Sequence, residues 1–312
     1  MTASELLSPL DKHGYQWRIV SIDHLDELHE EIEGPHRQGL YDEEFYQERI
    51  APIVFKPPKD LREAKSLIVL TSPQPQFRVV FTWKGEKRPA LIPPTYVRYK
   101  AVKAQAKELL EGILGPAGYR VEAAFLPEKL LVARSGLGAY GKNNISYVPG
   151  MGSFHEPAAF YSDLLCHKDY WQEKPMLKRC QKCSACVLQC PSGAITSERF
   201  LLRVERCITF RNEKPGSIPF PDWLDPSWHN CLVGCMICQQ VCPENKKFLK
   251  WTEDGPEFTE EETGLILQGI PFEKLPAETQ DKWKWLGLSE DFDVFPRNLR
   301  ALLRESDKVH AD

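Results

Sequence analysis

The sequence predicts a mixed α/β (α+β) fold in three stretches: interleaved strands and helices over residues 1–165, a cysteine-rich module over 166–250, and a helical extension over 251–312. Three observations carry this. Short apolar runs bounded by turn residues alternate with helical periodicity in the first half. Nine of the ten cysteines fall between Cys180 and Cys242. A length of 312 residues suits about two domains.

The elements follow in order. Over residues 21–33, Ile22, Leu25, Leu28 and Ile32 share a helical face, Ser21 is placed to cap it, and Gly34-Pro35 is expected to end it. A second short helix is expected over 42–49. Residues 66–71 form an apolar run read as a buried strand, and 77–83 a second strand closed by Gly85. Residues 95–114 are helical in period, with Gly115-Pro116 as the stop, and 119–125 reads as another strand. The run 128–134 is at least as helical as extended, and 145–148 is a strand followed by the turn Pro149-Gly150. Residues 253–262 are acidic without clear pattern, and a last helix is expected over 297–304, after Pro296.

The net charge of −4 is uneven: residues 1–50 carry −8, 51–150 carry +9, 151–250 carry +3 and 251–312 carry −8. The basic second quarter is able to face an anionic ligand, or to receive the acidic termini folded back on it. The first 17 residues do not read as a secretory or twin-arginine signal, and no apolar run approaches the roughly 18 residues of a membrane span. The expectation is a cytoplasmic chain without a membrane partner.

The cysteines have a specific pattern. Cys180, Cys183, Cys186 and Cys190, with Pro191, match C-x2-C-x2-C-x3-C-P at every spacing, and Cys235, Cys238 and Cys242, with Pro243, supply a second run. That is the bacterial ferredoxin arrangement. Three cysteines wrap one face of a cubane, and the fourth leaves the turn to ligate a second cluster. Two 4Fe–4S clusters are therefore predicted. Paired CxxC motifs also hold structural zinc, but a triple run with a C-P exit suits clusters better. Spacing alone does not choose between Cys207 and Cys231 as the eighth ligand.

Residues 136–141 contain a G-x-G-x-x-G. A dinucleotide site needs a strand before it and a helix after it, whereas here a strand and turn follow. The loop reads better as glycines that let the backbone approach some other cofactor.

Four stretches together resemble the epoxyqueuosine reductases and the related reductive dehalogenases. Ala133-Arg-Ser-Gly-Leu-Gly-Ala-Tyr-Gly-Lys-Asn143 is similar to the family's A-R-A-G-L-G-W-x-G-K-N loop; Gly152-Ser-Phe154 to its G-S-W/F; Arg206-Cys207-Ile-Thr-Phe210 to its R-C-I-S-Y; and Gly234-Cys235 through Asn245 to its G-C-D-x-C-Q-x-V-C-P-W-N. The resemblance implies a nitroreductase-like corrinoid-binding domain followed by a bacterial ferredoxin-like two-cluster module. It assigns Cys180, Cys183, Cys186 and Cys242 to one cluster, and Cys190, Cys207, Cys235 and Cys238 to the other. It further implies cobalamin, with Arg134, Gly136, Gly138, Gly141, Lys142 and Asn143 as the cofactor-binding loop. Asp11 and His13 begin a D-x-H-x-x-G motif, but Gln16 stands where its glycine is required. No protein histidine is therefore expected on cobalt.

The family's catalytic aspartate opens a D-x-x-P-x-L-E-R stretch. Ungapped alignment puts Glu122 at the aspartate, Phe125 at the proline and Glu128-Lys129 at the E-R. Glu122 is thus a candidate acid, with Tyr96 and Tyr140 as further candidate proton donors, and Arg98, Tyr99 and Lys100 as neighbours. The implied function is a cobalamin-dependent reductase fed by a low-potential donor of ferredoxin or flavodoxin type, removing oxygen or halogen from its substrate. The alternative is an electron-transfer or corrinoid-reducing protein without turnover of its own. Only about 67 residues follow Asn245 where longer members carry HEAT-like repeats, so tRNA as substrate stays open.

Overall fold

A computed structural model describes residues 2–304. Nine strands run β1 Gln16–Ser21, β2 Ser66–Pro73, β3 Gln76–Trp83, β4 Glu86–Ile92, β5 Val121–Ala123, β6 Ala139–Tyr140, β7 Ser146–Tyr147, β8 His155–Ser162 and β9 Thr252–Phe258. They form a four-stranded sheet in the order β1-β2-β8-β5, a three-stranded sheet β4-β3-β9 and the two-stranded β6-β7. The mixed α/β class expected from the sequence is what the chain adopts.

Two compact units emerge, and neither is continuous in sequence. The first joins the residues through Gln74 with Ala101–Ser184 and Ile195–Val204; the second joins Pro75–Lys100, Ala185–Ala194 and the residues from Glu205 onward. The expected boundaries at 165 and 250 are sequential, whereas here residues 75–100 belong with the C-terminal part.

In the first unit β2 and β8 are central, and β8 is buried along its whole length. Both pair antiparallel, with Leu67 opposite Tyr161 and Val69 opposite Ala159. Successive side chains point to opposite faces of a sheet. Accordingly Val20, Leu67, Val69, Ala159 and Tyr161 cluster with Leu28 and Ile32 of helix Leu25–Arg37 and with helix Glu128–Arg134. On the other face Ile19, Ile68, Leu70, Ala158 and Phe160 meet Ala106, Leu110 and Leu114 of helix Tyr99–Leu114.

Ser21 caps a 3-10 turn, Ile22–His24, by accepting from the Asp23 N–H, and not the long helix Leu25–Arg37, whose N-cap His24 makes no side-chain cap bond. Gly34-Pro35 does not end it, and the helix continues through Pro35 to Arg37. Pro35 falls in the last turn of the helix, and beyond it Gln38 N–H still bonds the Gly34 carbonyl. The expected strand over 119–125 shortens to Val121–Ala123, and the expected helix over 95–114 begins at Tyr99.

In the second unit β3 and β4 form a hairpin across Lys84-Gly85, both with positive φ, as a type I′ turn needs. The acidic stretch without pattern over 253–262 is in fact β9, parallel to β3, followed by the capped start of helix Glu260–Leu267. Its carboxylates are matched across strands: Arg78 holds Asp254, and Lys87 Nζ lies 2.7 Å from Glu257. Phe81 stacks on Phe258 at 4.8 Å, and Trp283 and Phe295 complete that core. The last helix, Val294–Leu303, starts three residues before the expected 297 and takes Pro296 into its first turn, where no backbone donor is needed. From it, buried Arg297 donates to the carbonyls of Arg211, Asn212, Lys214, Pro215 and Ile218. Those carbonyls belong to the segment that follows Cys207.

Candidate functional site

All ten cysteines are free thiols; Cys231 is buried and the other nine are half-buried. Cys180 and Cys183 lie on the first unit, where the turn Lys178–Gln181 presents Cys180, and Lys142 Nζ donates to the Cys183 carbonyl at 2.9 Å. Cys186 and Cys238 sit on the short helices Ala185–Gln189 and Ile237–Gln240 of the second unit.

All four ligands assigned to one cluster, Cys190, Cys207, Cys235 and Cys238, lie in that second unit. Burial, then the neighbouring Cys235, pushes the Cys207 thiol up to about 11, against backbone N–H donors from Thr209 and Phe210. Cys235 is raised by burial and feels Cys190. Cys207 occupies the N-cap position of helix Ile208–Asn212, where the Thr209 and Phe210 N–H groups favour its thiolate. Cys231 behaves differently: its Sγ donates to Asn230 Oδ1 at 3.0 Å, and burial raises its thiol far above the usual range. Among the described residues no group of three or more His, Cys, Asp or Glu is placed to hold a single metal ion. A cubane's four ligand sulfurs flank a larger body than one ion.

The glycine loop closes on itself. Gly136 takes φ +73 to leave helix Glu128–Arg134. A Cβ on Gly138 would meet the Tyr147 carbonyl at 2.5 Å, and one on Gly141 would meet Asn143 Oδ1 at 2.5 Å and the Tyr147 ring at 2.8 Å. These two glycines let the loop seat against β7, and no helix follows, in keeping with the exclusion of a dinucleotide fingerprint. Asn143 Nδ2 donates to the Tyr147 hydroxyl at 2.9 Å, while its buried Oδ1 has no partner. His155 Nε2 donates to the Ser146 carbonyl at 3.2 Å, leaving Nδ1 an orphaned acceptor; burial lowers its pKa to about 4. Two buried acceptors beside a close-backbone loop fit a ligand rimmed with amide N–H groups, as a corrinoid is.

The other loop candidates are already engaged. Arg134 is buried, salt-bridged by Glu27 and Glu31, and its guanidinium lies 4.5 Å over the Trp171 ring. Tyr140 is buried with Phe200 edge-on at 5.0 Å, and burial raises its hydroxyl strongly.

The three proton-donor candidates are divided between the units. Glu122, on edge strand β5, is half-exposed and 3.1 Å from Lys107 Nζ. Tyr140 shares the first unit. Tyr96 lies in the second, hydrogen-bonded to Glu213, with its ring against Gly234, where a Cβ would approach to 2.8 Å. Burial raises the Tyr96 hydroxyl well above its ordinary value. Arg98 stacks 3.7 Å over Trp285 and Lys100 reaches Glu290 at 2.5 Å; Lys100 Nζ also lies 5.9 Å from the Tyr99 ring.

Sequence reasoning missed one cluster. Lys103, one helical turn before Lys107, holds Glu128 through both carboxylate oxygens at 2.8 Å and lies 3.4 Å from Glu156. Glu156 is buried on β8 with Oε2 unpartnered, and burial raises its pKa to about 8. A glutamate inside the apolar run His155–Ser162 was the available signal, because a buried carboxyl demands a partner or a proton.

Comparison with known proteins places these features. Residues 179–245 match the 4Fe-4S double cluster binding domain, so this segment is a two-cluster module. The chain is 26% identical over 237 residues to the epoxyqueuosine reductase of Staphylococcus aureus, covering 73% of this chain and 60% of that protein. It is 33% identical over 154 residues to the one from Vibrio cholerae, covering 47% of this chain and 40% of the relative. The fold is that of epoxyqueuosine reductase from Bacillus subtilis, with a TM-score of 0.68 at 22% identity over 96% of this chain and 80% of that one. An epoxyqueuosine reductase solved with an epoxyqueuosine-modified tRNA-Tyr stem loop gives a TM-score of 0.69, likewise at 22% identity and with the same coverage. The chain thus spans 60% or less of these curated relatives' own length, and resembles them in sequence and in fold.

Proposed function

We propose that this chain is a cobalamin-dependent oxidoreductase of the epoxyqueuosine reductase type, which passes electrons through two 4Fe–4S clusters to remove an epoxide oxygen. The observation that carries this is a double-cluster domain joined, in one epoxyqueuosine reductase fold, to the glycine loop beside orphaned Asn143 Oδ1 and His155 Nδ1. Cys180, Cys183, Cys186 and Cys242 hold one cluster, and Cys190, Cys207, Cys235 and Cys238 the other. Bound cobalamin supplies a low-potential metal able to reduce the substrate carbon.

The chain's own residues do the rest. Asn143 Oδ1 and His155 Nδ1 would hold the amide-bearing rim of a bound corrinoid, and the Gly136–Gly141 loop would let backbone approach it. The epoxide oxygen leaves as water, which takes two electrons from the clusters and two protons; Glu122 delivers one proton to the departing oxygen and solvent the other, with Lys107 holding the carboxylate in place between turnovers. The substrate is an epoxyqueuosine-bearing tRNA. Electrons come from a low-potential donor of ferredoxin or flavodoxin type.

The test is anaerobic: reconstituted protein, cobalamin, a low-potential reductant and epoxyqueuosine-modified tRNA, with nucleosides read by mass spectrometry. Conversion to queuosine, lost without cobalamin, supports the assignment. Reduced protein with both cofactors bound and no conversion would refute this substrate.

A further inference from the structure

Asn230 is wired to a cluster ligand in a way that its own backbone partners fix. Its side-chain amide makes four bonds. Oδ1 accepts from the Met236 backbone N–H at 2.9 Å and from Cys231 Sγ at 3.0 Å. Nδ2 donates to the Trp228 carbonyl at 3.2 Å and to Cys235 Sγ at 3.3 Å. The oxygen and nitrogen of an amide are often ambiguous, but here they are not. Met236 N–H can only donate, and the Trp228 carbonyl can only accept. The second N–H is therefore aimed at the Cys235 sulfur, and the amide's hydrogen-bonding capacity is filled.

The segment that carries these groups is held in place. Leu232 N–H bonds the Leu91 carbonyl at 2.8 Å. Gly234 exchanges two bonds with the Asn212 side chain, at 2.7 and 3.0 Å. Gly234 takes φ +70 beneath the Tyr96 ring. The donor to Cys235 is thus preorganised rather than mobile.

We infer that Asn230, polarised by the buried Cys231 thiol, is a positioning residue that raises the reduction potential of the cluster ligated by Cys235. This rests on the proposed ligand set. A ligand thiolate gains negative charge when its cluster takes up one electron, so a fixed N–H pointing at the sulfur stabilises the reduced state more than the oxidised one. Cys231 donating into the amide oxygen strengthens the N–H on the other side of the same amide. The step adds one electron from a low-potential reductant and moves no proton: the amide hydrogens stay on Asn230 and the thiol hydrogen stays on Cys231. It also gives a role to a cysteine that sits beside the ligands, is 1% exposed and points at an amide.

The test is an EPR-monitored redox titration of the anaerobically reconstituted full-length chain, with iron counted in each sample. Wild type and Cys231→Ala are expected to hold about eight irons per chain. Asn230→Ala should move one midpoint negative by about tenfold in the reduction equilibrium, roughly 59 mV for one electron. The other midpoint should stay put as an internal control. Cys231→Ala should shift the same midpoint in the same direction by less, and Cys231→Ser, which keeps a donor, should restore it. Full iron with unmoved midpoints in Asn230→Ala overturns the inference. If Asn230→Ala fails to retain iron, Cys231→Ala decides, and an unmoved midpoint there overturns the relay. A wild-type chain that binds no iron refutes the cluster reading itself, a separate result.

Discussion

The cysteine segment and the acid-bearing sheet of the first unit place chemistry in opposite ways. Around Cys207 and Cys235 the chemistry is local: ligands a few residues apart, turns that present them, and backbone N–H groups that point at sulfur. Around Glu122 and Glu156 it is long-range. The lysine that faces Glu156 is 53 positions earlier in the chain, and the pairing exists only once helix Tyr99–Leu114 packs over the sheet. The difference teaches that metal-binding chemistry can be read from spacing, while proton chemistry is made by burial.

The largest effect expected from this contrast is at the ligands. Cys207→Ala should cut iron from about eight to about four per chain, while Cys231→Ala keeps all of it. Equal loss in both, measured on anaerobically purified protein, would erase the distinction drawn from Asn230. The next is structural support for the cysteine segment. Arg297→Met leaves several buried carbonyls without donors, each worth about 1–3 kcal/mol, so denaturant unfolding should show a loss on the order of 4 kcal/mol. A change within experimental error would remove Arg297 as the tie.

In the sheet unit the expected signature is pH dependence. Glu156 has a folded pKa raised to about 8 from the ordinary 4.5, by burial. A raised pKa means that the folded state holds a proton which the unfolded state gives up. Its stabilising contribution is therefore complete below about 4.5 and is lost as pH rises toward 8. Glu156→Gln mimics the protonated form and should flatten that slope. An unchanged slope in urea melts across this window would place the ionised carboxylate in the fold instead. The smallest effect on the molecule, though not on turnover, is Glu122→Gln. Cluster content and stability should hold while product formation falls about 100-fold. An unaltered rate would move the acid role elsewhere.

The same contrast explains what was legible. Seven of the eight candidate ligands and the two-cluster module were visible because cysteine is rare and its spacing is set by a cluster's size; Cys207 was chosen over Cys231 only by the resemblance of its flanking residues. β2 was visible as an apolar run, whereas β8 was not read as a strand, since it opens with His155 and Glu156. β9 was not, because Asp254 and Glu257 look like a solvated acidic stretch until Arg78 and Lys87 arrive from about 170 positions away. Gly34-Pro35 reads as a stop, yet the helix takes Pro35 into its last turn and runs to Arg37. The division into units escaped notice since residues 75–100 leave one unit and pair within the other. The buried acid Glu156 was hidden in a strand whose neighbours are almost all apolar.

The central claim is that one chain binds two clusters and a corrinoid and passes electrons between them. The most direct measurement is an anaerobic absorption spectrum of the reconstituted chain, gel-filtered after incubation with cobalamin and then titrated with a low-potential reductant. The account predicts cluster and corrinoid absorbance eluting together, with the corrinoid bands changing on reduction in wild type and failing to change in a variant stripped of cluster ligands. Cobalamin eluting apart from a fully clustered protein would contradict it.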